Sequence, residues 1–202
     1  MSKNITNEQA IHSVPPNIPQ RGNWFSKSLG KLILLVLGWR LVGRIPNIKK
    51  CVLVLAPHTS NWDFVIALAT YFKLGLHTHW FGKHTLFKGL FGRFLRYIGG
   101  IPVARHTQHG FVQQLVDQFN KRDKMMLAVT PEGTRKKTKE WKKGFYYIAS
   151  GANVPIFLVS FDYHKKELRF GPTVMPNGNY EEQSAEIRQF YADKTPKKKD
   201  FY

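Results

Sequence analysis

Two short apolar runs, Cys51–Ala56 and Met125–Val129, each break off into a polar loop. Runs this short are strands rather than helices, and an unbroken apolar run marks a strand covered on both faces. Between them the pattern alternates. Trp62–Phe72 has helical spacing, with Ser60 or Asn61 placed to cap it. His77–Phe81 predicts a strand, Leu86–Ile98 a helix, and Ile101–Val103 a short strand after the Gly99-Gly100 turn. Phe111–Phe119 predicts a helix before Met125–Val129, and Trp141–Ala149 another, ended by Gly151. Val154–Phe161 follows as a strand, and Glu167–Phe170 extends the sheet. This order predicts a single α/β domain over residues 46–192, with a mixed, largely parallel sheet flanked by helices.

The flanks read differently. Residues 1–23 contain Pro15, Pro16 and Pro19 among polar residues and predict a poorly ordered lead-in. Residues 24–45 predict an interfacial helix, with Trp24, Phe25, Leu32, Leu35 and Trp39 dipping into lipid and Lys27, Lys31, Arg40 and Arg44 meeting headgroups. A helix packed on the protein's own core is the alternative. Leu32–Leu37 is too short to cross a bilayer, which takes about 20 residues. The start of the chain lacks the apolar core of a secretion signal. Residues 193–202 predict a basic, frayed tail. These features place the chain on the cytoplasmic face of a membrane, peripheral or monotopic.

Charge narrows the partners. Lys and Arg total 31 against 13 Asp and Glu, a net charge of +18 over 202 residues. Such a field attracts nucleic acid, an anionic lipid surface or an acidic carrier protein. A basic nucleic-acid-binding module is the non-enzymatic alternative. Against it, the sequence has no zinc finger, no RNA-recognition aromatic signature and no single basic recognition helix, so no nucleic acid is expected. The single cysteine, Cys51, excludes an internal disulfide and reads as a small buried hydrophobe. His77 and His79 alternate as on one strand face, but no Cys, Asp or Glu lies near them. No metal or cofactor is therefore expected.

The chemistry sits in the loops after the strands. His58 follows the first apolar run, and Asp63 falls in the first turn of the next helix. A carboxylate there can turn back to an imidazole N–H, fix its tautomer and make the other nitrogen a general base. Helix capping alone would also explain Asp63. The second run ends in Pro131-Glu132-Gly133-Thr134-Arg135. Gly133 permits close backbone approach, Arg135 can grip a phosphate bidentately, and Glu132 can hold Arg135 or a substrate hydroxyl. Backbone amides near Gly133 and Thr134 are candidates for oxyanion donors. Gly99 to Arg105 supplies a further glycine turn, short strand and arginine. A base beside a phosphate grip predicts transfer onto a phosphate-bearing acceptor. Phe87, Leu90, Phe91, Phe94 and Leu95, flanked by Lys88, Arg93 and Arg96, read either as a second membrane contact or as core.

These blocks, in this order, resemble the glycerolipid acyltransferases, which include the 1-acylglycerol-3-phosphate (lysophosphatidic acid) acyltransferases. His58 to Asp63 matches His-x-x-x-x-Asp, and Gly99 to Arg105 matches Gly-x-Ile-x-Val-x-Arg. Pro131 to Arg135 matches Pro-Glu-Gly-Thr-Arg, and Val154 to Ile156 matches Val-Pro-Ile. The resemblance covers about Val52 to Phe161. It implies His58 as base and Asp63 as its orienter, with Glu132, Arg135 and Arg105 on the acceptor's glycerol phosphate. It implies Val154-Pro155-Ile156 as an acyl-facing wall and Lys83 as a basic residue near the acyl channel. The implied reaction moves a fatty acyl group from acyl-CoA or an acyl carrier protein to a lysophospholipid hydroxyl. The His58-Thr59-Ser60-Asn61-Trp62-Asp63-Phe64 variant is typical of small bacterial-type members, so another lysolipid acceptor is the alternative.

Overall fold

The computed structural model describes residues 11, 13–103, 108–138, 140–198 and 200. The chain runs α1 (Trp24–Leu37), β1 (Arg40–Gly43), β2 (Lys50–Ala56), α2 (Asn61–Leu74) and β3 (Thr78–Lys83). A 3-10 turn (His84–Leu86) leads to α3 (Gly89–Tyr97), β4 (Gly100–Val103), α4 (Gln108–Asn120) and β5 (Met125–Val129). α5 (Gly144–Gly151), β6 (Ile156–Asp162), β7 (Glu167–Val174) and α6 (Tyr180–Gln189) complete it. The seven strands lie in the order β1-β7-β6-β2-β5-β3-β4. Among the pairings of the described strands, β6–β7 is antiparallel and the others are parallel.

β2 lies centrally, between β5 and β6, and its apolar run is buried on both faces. Val52, Val54 and Ala56 join one core layer with Leu115 and Phe119 of α4 and Phe145 and Ile148 of α5. Cys51, Leu53 and Leu55 join the opposite layer with Leu34 of α1 and Ile66 and Ala69 of α2. The chain travels from β2 outward to β3 past one face and returns through β5 to β6 past the other. Reversing direction and face together keeps a single crossover handedness. α1 packs closely on α2 because Gly30 has no side chain: a Cβ there would lie 2.5 Å from the Ala69 carbonyl oxygen.

Several expectations change. The segment 24–45 is not one helix: α1 stops at Leu37, Gly38 caps it in the left-handed region at φ 70°, and Arg40–Gly43 pairs with β7. Trp39 does not face lipid but is buried against Phe161 and Tyr163. The later half of the lead-in is docked. Ile18 is buried, Gln20 bridges to Leu76, and the His77 N–H donates to the Pro19 carbonyl at 2.8 Å. The tail is docked through Lys198, and α6 joins the fold in a region that the sequence pattern left unread. The Phe-rich segment divides between its two readings. Phe87 and Leu95 are buried, while Leu90, Phe91 and Phe94 are exposed. Cys51 is fully buried, and burial pushes its thiol up to about 12, as befits an inert core residue.

Candidate active site

Strands β2, β3, β5 and β6 run parallel, so the loops after them emerge at one sheet edge. That edge collects His58 after β2, Lys83 at the end of β3, Glu132 after β5 and Tyr163 after β6. Ligands bind at this edge of open α/β sheets, beside the strand where the connections reverse.

The His58–Asp63 loop is organised by the start of α2. Ser60 is the N-cap, and its hydroxyl accepts from the Trp62 N–H at 3.2 Å. Asp63 closes the capping box by accepting the Ser60 N–H at 2.8 Å, and the same Oδ2 accepts the Thr59 N–H at 2.9 Å. His58 Nδ1 lies 3.1 Å from that oxygen. Capping and orientation are therefore one arrangement: the turn that starts α2 also aims Asp63 at the imidazole. An ionised carboxylate only accepts, so Nδ1 carries the proton and Nε2 is left for a substrate. The Asp63 side chain is 1% exposed and that of His58 21%, as suits a held orienter and an approachable base.

Glu132 is placed differently from expectation. Its Oε1 accepts the backbone N–H of His58 at 2.9 Å. Among the described residues no ion pair or hydrogen bond joins it to Arg135. Its Oε2 is buried without a hydrogen-bond partner among the described residues. Burial pushes the Glu132 carboxyl above its usual range, opposed by backbone hydrogen bonds from the Glu132 and His58 amides. Glu132 thus joins the β5 loop to the β2 loop. Gly133 turns the chain at φ 65°, and its N–H donates to the Thr130 carbonyl at 3.1 Å, which removes it as a ready oxyanion donor. Thr134 and Arg135 are exposed, as is Lys83. Arg105 lies outside the described residues.

A cavity of about 290 Å³ opens beside this loop. His58, Asp63, Thr130 and Gly133 line part of it, and Leu55, Ala67, Leu68, Trp80, Val129 and Phe161 make much of the rest apolar. Val154, Pro155 and Ile156 do not line it. Ile156 pairs with Val52 at the far end of β2 from His58, and Val154 and Ile156 belong to the core layer under α4 and α5. Phe161 is the β6 residue that faces the cavity. Among the described residues no three His, Cys, Asp or Glu side chains gather as a metal cluster. The His77 and His79 rings do adjoin, at 4.6 Å, and burial brings His79 down to about 4.

The family model named Acyltransferase matches residues 40–162. The chain belongs to the acyltransferase family. Its fold is similar to that in the crystal structure of the 1-acyl-sn-glycerophosphate (LPA) acyltransferase PlsC from Thermotoga maritima. The two share 19% identity at a TM-score of 0.59, over 82% of this chain and 75% of that one. Comparison with the curated proteins finds no match. The matched region of this acyltransferase contains the edge from β2 to β6, with His58, Asp63 and Glu132 on it.

Two parts of the candidate site were missed by sequence reasoning. The Tyr163 hydroxyl donates to Asp63 Oδ1 at 2.5 Å. The tail then crosses the loop: the Tyr163 N–H donates to the Thr195 carbonyl at 2.8 Å, and the Lys198 N–H to the Thr59 hydroxyl at 3.2 Å. The Lys197 ammonium lies 4.5 Å over the Trp62 ring. Tyr163 was findable, since it follows β6 as His58 follows β2. The tail carried no signal beyond its charge.

Proposed function

We propose that this acyltransferase moves a fatty acyl group from a thioester to the hydroxyl of a lysophospholipid. The donor is acyl-CoA or acyl carrier protein. The acceptor that best suits the motifs is 1-acylglycerol-3-phosphate, giving phosphatidic acid. The observation that carries this reading is an Asp63-held His58 in the wall of an apolar cavity. At about 290 Å³ the cavity is near the lower limit for ligand sites. Its apolar lining suits an alkyl chain.

In this reading Nε2 of His58 takes the acceptor's hydroxyl proton as the oxygen attacks the thioester carbon. Asp63 supports the imidazolium that forms. Collapse of the tetrahedral intermediate breaks the carbon–sulfur bond, and His58 returns the proton to the departing thiol. No acyl-enzyme is needed. Glu132 holds the His58 backbone in place, while Arg135, with Arg105 and Lys83, supplies cations for phosphate.

We also place the protein on the cytoplasmic face of a membrane, where thioesters are made. No described helix is long and apolar enough to cross a bilayer. α1 exposes Trp24 (81%), Phe25, Leu32, Leu35 and Val36, and α3 exposes Leu90 (81%), Phe91 and Phe94. Arg21 ties the approach to α1 to the end of α3, donating to the Tyr97 carbonyl at 2.8 Å and lying 4.2 Å over its ring. Exposed apolar side chains with cations nearby suit an interface, where each well-placed Lys or Arg adds about 1 kcal/mol.

The test is an acyl-transfer assay on a panel of lysolipids with both thioester types. Turnover with 1-acylglycerol-3-phosphate is expected, and none with any lysolipid would sink the reading. Anionic liposomes should bind the protein at moderate salt and nucleic acid should not.

A further inference from the structure

We propose that Tyr163 is a positioning residue of the catalytic pair, whose phenol holds Asp63 and thereby fixes the ring of His58. The role of the pair rests on the proposed reaction; the hydrogen-bond geometry does not. Asp63 Oδ2 takes three donors: the Thr59 and Ser60 amides and His58 Nδ1. Oδ1 takes the Tyr163 hydroxyl. A carboxylate buried this deeply needs both oxygens satisfied. Its two oxygens are equivalent, so what these donors fix is the orientation of the carboxylate plane: a partial turn about the Cβ–Cγ bond would break the whole set together. The phenol, as the one donor on Oδ1 among the described residues, holds that plane from the side opposite His58.

Tyr163 is itself held. Its N–H is bonded to the Thr195 carbonyl, and its ring meets Trp39 edge-on with centroids 4.9 Å apart. The Lys197 ammonium lies 5.8 Å over the same ring. Burial first, and then Asp63, push the phenol well above its usual range, so it stays a donor at any working pH. Trp39 comes from the turn before β1 and Thr195 and Lys197 from the segment after α6, two parts of the chain distant from His58. They explain why a tyrosine just beyond β6 can act as a fixed strut. A tyrosine kept only for packing would need its ring and not its hydroxyl.

Tyr163→Phe separates the two roles, since it keeps the ring against Trp39 and removes the hydroxyl. The kcat should fall about 10- to 100-fold, the range that one hydrogen bond to a charged group is worth, with both KM values held within about twofold. The ¹⁵N signals of His58, identified by their absence in His58→Ala, should report a proton held on Nδ1 in the parent protein. In Tyr163→Phe they should move toward the average of two tautomers. Unchanged turnover and unchanged nitrogen signals would overturn the proposal. So would a loss of turnover with unchanged nitrogen signals, because Tyr163 would then not act through Asp63. The nitrogen signals need no substrate. A chain that failed to transfer acyl groups would sink the proposed reaction and leave this test standing.

Discussion

The two motif loops at the sheet edge are built in opposite ways. In the β2–α2 loop, Asp63 bonds to two amides, one imidazole and one phenol, and the loop's own turn is a helix cap. In the β5 loop Glu132 turns inward to the His58 amide, whereas Thr134 and Arg135 face solvent. The difference follows from the work proposed for each. A general base gains from geometry fixed to a fraction of an ångström, whereas a cation that collects a lipid phosphate must let it enter and leave. Glu132 couples the two by holding the His58 amide, so the β2–α2 loop is braced from the β5 loop.

The sharpest way to break this contrast is to remove the base. His58→Ala should lower turnover by about 10²–10⁴ while leaving the melting temperature nearly unchanged, measured by acyl transfer and thermal unfolding. Asp63→Ala should lose comparable activity and also stability, about 1–3 kcal/mol, because it leaves the buried Thr59 and Ser60 amides without their acceptor. Equal melting temperatures for the two variants would show that capping and orientation are separable after all.

Arg135→Ala should act on binding. The acceptor KM should rise about tenfold or more, with the thioester KM and the melting temperature little changed. Arg135→Lys should recover only part of the loss, because a point charge lacks the planar fork. A rise in the thioester KM instead would assign this loop to the donor.

Smaller effects should come from the brace. Burial raises the Glu132 carboxyl above its ordinary value, so its contribution to stability is complete below that ordinary value. It is lost as pH rises through the raised one. Glu132→Gln keeps an oxygen for the His58 N–H and removes the buried charge. The variant should therefore melt higher than the parent protein at neutral pH, with the gap closing on acidification toward about pH 4. A gap independent of pH would show that the carboxylate is compensated. Deleting residues 195–202 should have a modest effect, a few-fold in turnover, since the segment touches Tyr163 and Thr59 rather than the base. A loss as deep as that of His58→Ala would make the strap part of the machinery.

Local pattern carried most of the strand and helix order. The runs at Cys51–Ala56 and Met125–Val129 are buried strands, and Ser60 caps α2 as its position after a strand predicts. It failed where a segment's role depends on what it meets. Arg40–Gly43 has no strand signature of its own, and it is extended because β7 lies beside it. Trp39 looks like an interfacial tryptophan until Phe161 and Tyr163 close over it. Val154 and Pro155 lead into β6 at Ile156, and it is Phe161, near the other end of that strand, that faces the cavity.

The sequence by itself determined which side chains stand at the strand ends and that His58 and Asp63 share one loop. Both are consequences of short-range spacing: a fixed number of residues between a strand's end and a helix's first turn allows few conformations. Only the tertiary structure decided what surrounds that pair. Glu132 and Tyr163 reach it from the loops after two other strands, Thr195 holds Tyr163 from beyond α6, and no local spacing encodes which distant groups will meet a carboxylate. Their meeting is set by the order of strands in the sheet and by the need of buried polar groups for partners.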